Sequence, residues 1–476
     1  MIFNSFEFLF FLPVVFLLYW FVFKKNLRLQ NMFIVVASYF FYGWWDWRFL
    51  ILIAFTSLCS WVSGIWIGRL QQEKHAKAKV ITAVNIVINL LILGVFKYYD
   101  FFVQSFADLF LNGQSDGLLL KVILPVGISF YTFQALSYSI DVYRGKLKPT
   151  NDVIVFFAYV SFFPQLVAGP IERATNLLPQ FQRKRDFDYS LAVDGMRQML
   201  WGLLKKMVVA DNCAVFVNAV WCDIPAQTGS TLVIAAILFA FQIYGDFSGY
   251  SDIAIGCSKL FGIKLMRNFN IPYFSRDIAE FWRRWHISLT TWFRDYLYIP
   301  LGGSRVSKIK VLRNTLIIFL VSGFWHGANW TFIAWGVYHA LLFLPLILMG
   351  RNRRYINNVA EVGVLPTFKE LGQMLLTFAF VVIGWIIFRS ENIGQAGQFV
   401  SAIISQGLFH RPQLPFCFVY IAIMLVVEWI QRKKEHGLQF NTHITPWLRY
   451  PVYYALAMMC LLCTPVQSEP FIYFQF

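Results

Sequence analysis

The chain has 476 residues, of which 58% are hydrophobic and only 14% charged, whereas an ordinary soluble domain carries about 25% charged residues. Mean hydropathy is +0.56 and the apolar residues come in long runs, which excludes a soluble globular fold and predicts an all-α integral membrane protein. The net charge of +16 does not argue for nucleic acid, because Lys and Arg sit in short loops between apolar runs, where the positive-inside bias and anionic headgroups account for them.

The first run, "MIFNSFEFLFFLPVVFLLYWFVFKK", has its basic residues after the apolar stretch. A cleavable signal peptide has the opposite order. It predicts a retained helix with the N-terminus outside and Lys24, Lys25 and Arg28 inside. Further spans are predicted at 32–44, 50–67, 80–96 or on to 111, 118–142, 153–167, 200–220 and 231–247, then at 312–324, 330–349, 374–388, 416–429 and 453–466. With the first at 8–23, these make about 11–13 membrane helices, several shorter than the usual span of about 20 residues and so tilted, broken or re-entrant. Charge sets an alternating topology for the first five: "GWWDWR" and "NGQSDG" outside, "KKNLR", "RLQQEKHAKAK" and "RGKLK" inside. No internal repeat or low-complexity linker divides the chain, which reads as one domain over 1–476. Cys460 and Cys463 form a CxxC inside the apolar run "ALAMMCLLCTPV" with no second ligand pair, a pattern of helix packing rather than metal binding.

The middle of the chain, 244–293, is too polar to face lipid. It should line a cavity, a groove or a cytoplasmic face. Within it, "YGDFSGYSD" places Asp246 and Asp252 in or beside an apolar run. An acid at the bilayer centre costs about 2.5–3.5 kcal/mol, so both should be paired, hydrogen-bonded or near water. Ser248 lacks the spacing and strand of a nucleophile elbow, and a structural polar knot is the better reading. In "EFWRRWHISLTTWFRDYLYIPLGG", read as one helix, Trp282, Trp285, Leu289, Trp292 and Tyr296 share a stripe of about 80°. Arg283, Thr290 and Arg294 share the neighbouring face, with His286 at the border. Two readings stand: an interfacial amphipathic helix with its rings in the headgroup layer, or a face bordering a pocket where His286 and an arginine meet a ligand's polar head.

Forty residues after His286 comes His326, in "SGFWHGANWTFIAWGVYH". Gly323 and Gly327 bracket it, which predicts a helix break or close helix approach. It is either a buried histidine satisfied by a backbone carbonyl, or a neutral imidazole taking a proton from an alcohol that attacks a thioester. Asn329 would then orient the ring or hold a developing oxyanion. His339 reads as structural. No HExxH motif, Cys/His cluster, carboxylate cage or Walker loop is present, so no metal is implied.

These motifs, with "LPVGISFYTFQALSYSIDVYRG" (124–145), "FFPQLVAGPIER" (162–173), "FQIYGDFSGYSDIAIG" (241–256) and the terminal "FIYFQF" (471–476), resemble the membrane-bound O-acyltransferase family. More narrowly they resemble its bacterial alginate O-acetyltransferase branch. The resemblance covers nearly the whole chain, with a signature core at about 120–345. It implies a multi-helix bundle around a central funnel or tunnel in the bacterial cytoplasmic (inner) membrane. It implies His326 as catalytic histidine and His286 as the second signature histidine. Asn329, Trp325, Arg283, Arg284, Arg294 and Asp246 are the weaker substrate-binding candidates. No bound cofactor is implied. The acyl donor would be a cytoplasmic thioester, acetyl-CoA or an acylated carrier protein, and an extracytoplasmic SGNH-hydrolase-like partner would complete transfer to a polysaccharide. Members of the branch serve alginate, other exopolysaccharides, peptidoglycan or teichoic-acid D-alanylation, and the ending here looks more like the acetyltransferases. Two readings of other classes stay open on the residues alone: a transporter with Asp246, Asp252 and His326 along its path, and a scaffold with inert histidines.

Overall fold

A computed structural model describes the chain except for residues 72–73, 116, 168, 362, 409, 441–444, 466–470 and 473–476 and the side chain at 448. The last four positions of the terminal motif therefore lie outside the described residues. Every regular element among the described residues is helical. Five helices are long and apolar enough to cross a membrane: Trp47–Leu70, His75–Phe110, Gly229–Leu260, Trp330–Leu348 and Phe368–Arg389. The shortest has 19 residues, about 28 Å of helix, close to the ~30 Å of a bilayer's hydrocarbon core. Phe6–Val22 and Cys417–Ile430 are apolar but shorter. Large apolar side chains on these helices point away from protein, Phe10, Ile51 and Leu91 among them, as lipid-facing residues do.

The chain forms two compact units, one of Met1–Met196 with Ala254–Met266, the other of Arg197–Ile253 with Arg267–Phe476. In the first unit, helices α1 (Leu50–Leu70), α2 (His75–Leu93) and α3 (Ile128–Tyr143) pack on one another. A polar seam joins them: the Ser60 hydroxyl donates to Asn85 Oδ1 at 3.4 Å, and Asn85 Nδ2 to the Ser139 hydroxyl at 2.8 Å. Short polar side chains are the usual glue where apolar packing gains nothing over lipid. The predicted span at 118–142 is helical only from Ile128. Pro125 and Gly127, the latter at φ +75°, hold the preceding stretch out of a helix.

Helix α4 (Gly229–Leu260) runs unbroken for 32 residues, those up to Ile253 belonging to the second unit. The predicted span ended at 247, yet "YGDFSGYSD" lies inside this helix. Its polar residues are carried within protein, where ion pairs and hydrogen bonds satisfy them. Leu204–Ala210, wound as π turns, carries Lys205 and Lys206 against α4. Gly202 and Gly249 allow that approach: a Cβ on either would lie 2.5 or 2.7 Å from the other's carbonyl oxygen.

The sequence 280–303, read above as one helix, is instead α5 (Ile278–Arg284) and α6 (Ile287–Phe293), broken at Trp285–His286. Trp282, Trp285, Leu289 and Trp292 are all at most 8% exposed. The interfacial amphipathic reading is thus overturned: the aromatic stripe is core, not headgroup anchor.

Helices α7 (Lys308–His326) and α8 (Trp330–Leu348) form a hairpin, and α9 (Phe368–Arg389) packs on α8. Asn329 caps α8 by accepting from Thr331 N at 3.0 Å, and Thr367 with Glu370 forms a capping box on α9. In the hairpin, a Cβ on Gly323 would sit 2.2 Å from the Phe332 carbonyl oxygen, and one on Gly336 would sit 2.4 Å from that of Phe319. Backbone meets backbone three residues before His326. Gly323→Val is therefore expected to destabilise by about 1–3 kcal/mol or more, read as a lower melting temperature in detergent. A melting curve identical to wild type would show that the hairpin yields.

Candidate active site

His286 lies at the N-terminus of α6 with φ +43°, a left-handed conformation unusual for a side chain of this size. Asn268 holds the turn there. Its carbonyl oxygen accepts from Ile287 N at 2.8 Å, and its side-chain Oδ1 accepts from Ser288 N at 3.3 Å and from the Ser288 hydroxyl at 2.9 Å. The same Oδ1 lies 3.1 Å from His286 Nδ1, while Asn268 Nδ2 donates to the Ser251 hydroxyl of α4 at 3.1 Å. One asparagine, fully buried, thus holds the histidine's backbone turn and its ring. Strained backbone of this kind costs about 1–3 kcal/mol and clusters at active sites.

His326 closes α7 and is 3% exposed; His286 is 1% exposed. Their ring centroids are 6.4 Å apart. Trp325 packs against both, at 5.8 Å from His286 and 5.1 Å from His326. Trp335 of α8 and Phe388 of α9 close further sides of His326, at 5.1 and 5.5 Å, and Phe247 of α4 stands edge-on to His286 at 4.7 Å. Burial pushes the His286 imidazole down to about 3, so it stays neutral at any physiological pH. His339 is fully buried one ring further on, 5.0 Å from Trp335 and 5.0 Å from Trp282.

Of the weaker candidates, Trp325 joins the two histidines and the others scatter. Asn329 spends its amide on backbone, donating to the Glu391 carbonyl at 2.7 Å besides capping α8. Exposed Arg283 donates to the carbonyls of Asn352 and Tyr355 at 2.7 and 2.6 Å. Buried Arg284 pairs with Glu280 at 2.9 Å, and exposed Arg294 pairs with Asp295 at 2.7 Å. Arg283 and Arg284 thus brace the loop after α8. An open cleft of about 570 Å³ lies along that loop, with Arg276 and Arg354 as its lining cations; neither signature histidine lines it.

The two acids of α4 are held by lysines. Asp246 forms an ion pair with Lys206 at 2.9 Å, and Lys206 also reaches Asp211 at 2.8 Å. Asp252 pairs with Lys205 at 2.5 Å and accepts from Gln198 at 2.8 Å. Asp246 further accepts from Ile472 N at 2.6 Å, and Phe471 packs on Tyr250 at 4.4 Å and on Phe247 at 5.9 Å. The described part of the terminal motif therefore backs the ring that stands against His286. Sequence reasoning missed Asn268, Lys205, Lys206, Trp335 and Phe388. The sequence around the first, "MRNFNIPYF", has two amides and an arginine and does not single Asn268 out; the lysines lie inside a predicted span, where an unpaired charge is costly.

The family model of the MBOAT, membrane-bound O-acyltransferase family, matches residues 147–383. A Pseudomonas aeruginosa protein named "Probable alginate O-acetylase" is 39% identical over 416 residues, 87% of this chain and 77% of its own length. A peptidoglycan O-acetyltransferase of Helicobacter pylori is 36% identical, covering 83% of this chain and 78% of that protein. A teichoic acid D-alanyltransferase of Streptococcus thermophilus is 32% identical over 55% of this chain and 68% of its own.

Proposed function

This chain belongs to the membrane-bound O-acyltransferase family, and from that premise we propose that it moves an acetyl group from a cytoplasmic thioester, acetyl-CoA, across the membrane for O-acetylation of an extracytoplasmic polysaccharide. The protein is an acyltransferase and a multi-pass membrane protein. The observation that carries the finer reading is the pair of buried histidines on two helix ends, ring to ring at 6.4 Å. His326 acts as general base: it takes the hydroxyl proton as the acceptor oxygen attacks the thioester carbonyl. The C–O bond forms, the C–S bond breaks, and the imidazolium returns its proton to the leaving thiolate. His286 binds the reacting group beside it.

The acceptor is alginate or another exopolysaccharide, supported by the similarity to alginate O-acetylases over most of the chain. An SGNH-hydrolase-like partner outside the membrane completes the transfer, and the site of action is the bacterial cytoplasmic membrane. The peptidoglycan O-acetyltransferase relative keeps peptidoglycan as a second acceptor reading. Proteoliposomes given acetyl-labelled acetyl-CoA, with and without such a partner, test both. Label is expected on added exopolysaccharide only when protein and partner are present. Label on peptidoglycan fragments alone would favour the second reading. Transfer that occurs only from a D-alanyl carrier protein would overturn the acetyl donor.

A further inference from the structure

We propose that Asn268 is the positioning residue that fixes the tautomer of His286, with the proton on Nδ1 and a lone pair on Nε2, so that His286 engages a donor group of the acceptor and not the thioester carbonyl. The inference rests on the acyl-transfer reading for its chemistry, but the tautomer itself stands on hydrogen bonds alone.

Ser288 N can only donate, and it points at Asn268 Oδ1; that atom is therefore the amide oxygen, an acceptor. The Ser288 hydroxyl has one proton and gives it to Oδ1 at 2.9 Å, being 3.5 Å from the ring nitrogen. Asn268 Nδ2 is directed to Ser251. Nothing in this cluster can donate well to His286 Nδ1, which faces an acceptor at 3.1 Å. A neutral imidazole carries one N–H, and the bond made by one nitrogen decides the state of the other. Nδ1 holds the hydrogen and Nε2 holds the lone pair. That Nε2 is buried and has no hydrogen-bond partner among the described residues. The rings packed on His286 are Phe247, Phe269, Trp325 and His326, of which His326 is the one titratable neighbour.

A lone pair cannot polarise a carbonyl oxygen; that needs an N–H. It can receive an O–H. Of the roles open to the second histidine, binding donor or binding acceptor, this tautomer selects the acceptor. The attacking O–H has one proton and His326 takes it, so the His286 Nε2 lone pair accepts from a second donor group of the acceptor and thereby holds the nucleophile beside His326.

The test is a ring-nitrogen measurement. Protein labelled with ¹⁵N-histidine in nanodiscs, with His286 assigned by its loss in His286→Gln, should show a protonated Nδ1 and an unprotonated Nε2. Asn268→Asp keeps an acceptor of the same shape and should keep that tautomer. Asn268→Leu should give a mixture of tautomers. In acetyl transfer, Asn268→Leu should lower kcat by about 10²-fold or more, the lower end of what acid–base assistance contributes, and Asn268→Asp should recover much of it. A wild-type His286 protonated on Nε2, or an Asn268→Leu protein with unchanged tautomer, overturns the proposal. If Asn268→Leu does not fold, the wild-type and Asn268→Asp spectra decide it. These spectra need no turnover, so a failure of the acetyl-transfer reading leaves them intact, and a wrong tautomer leaves that reading intact.

Discussion

His326→Ala is expected to lower acyl transfer by about 10²–10⁴-fold, the contribution of a general base, while the protein extracts and melts much as wild type. The ring sits at the end of α7, walled by Trp325, Trp335 and Phe388 within 5.1–5.5 Å, and is 3% exposed. No bulk-water base reaches such a position easily, so little can substitute for the lost imidazole. His326→Gln keeps most of the side-chain volume and hydrogen-bonding capacity but cannot take a proton, and should lose a similar factor. Initial rates over a range of donor concentrations separate the cases. A general base acts in the transition state, so the loss should fall on kcat, with KM for the donor little changed. Full turnover by both variants would remove His326 from the chemistry.

Lys206→Met should destabilise the protein by about 3–5 kcal/mol, the usual consequence of removing one partner from a buried ion pair. Lys206 is 1% exposed and lies 2.8 Å from Asp211 and 2.9 Å from Asp246. Its removal leaves two acids without the ammonium they share. The same acid, Asp246, receives the Ile472 amide, and Phe471 packs on the Phe247 ring that stands against His286. The loss should therefore reach activity as well as melting temperature. Lys206→Met combined with Asp211→Asn and Asp246→Asn neutralises all three groups together and should recover much of the stability, because what destabilises is the uncompensated charge rather than the absence of the cluster. A single Lys206→Met variant with wild-type melting would show that the triad contributes no net stability.

Particular residues show how far the sequence could be read. Runs such as 50–67 and 80–96 carry their own evidence, since about 20 apolar residues leave little alternative to a membrane helix. The histidines at 286 and 326 stand out for the converse reason, as ionisable rings in apolar company. Helical periodicity failed at 280–303. The wheel placed Trp282 and Trp292 on one stripe of one helix, but the chain turns at His286 because Asn268, eighteen residues back, supplies the hydrogen bonds that hold a left-handed residue there. At 244–252 the expected pairing of both acids is met, by lysines wound onto π turns, but the span predicted to end at 247 continues as helix to Leu260.

Composition and motif order in the sequence were enough to determine a membrane-embedded, all-helical acyltransferase of a known family, because hydrophobic length and local pattern are properties of contiguous residues. The tertiary structure alone decided which rings meet His326, which lysine neutralises which acid, and which group faces Nδ1 of His286. Most of those depend on groups brought together from different helices, at distances of a few ångströms where hydrogen bonds and ion pairs act.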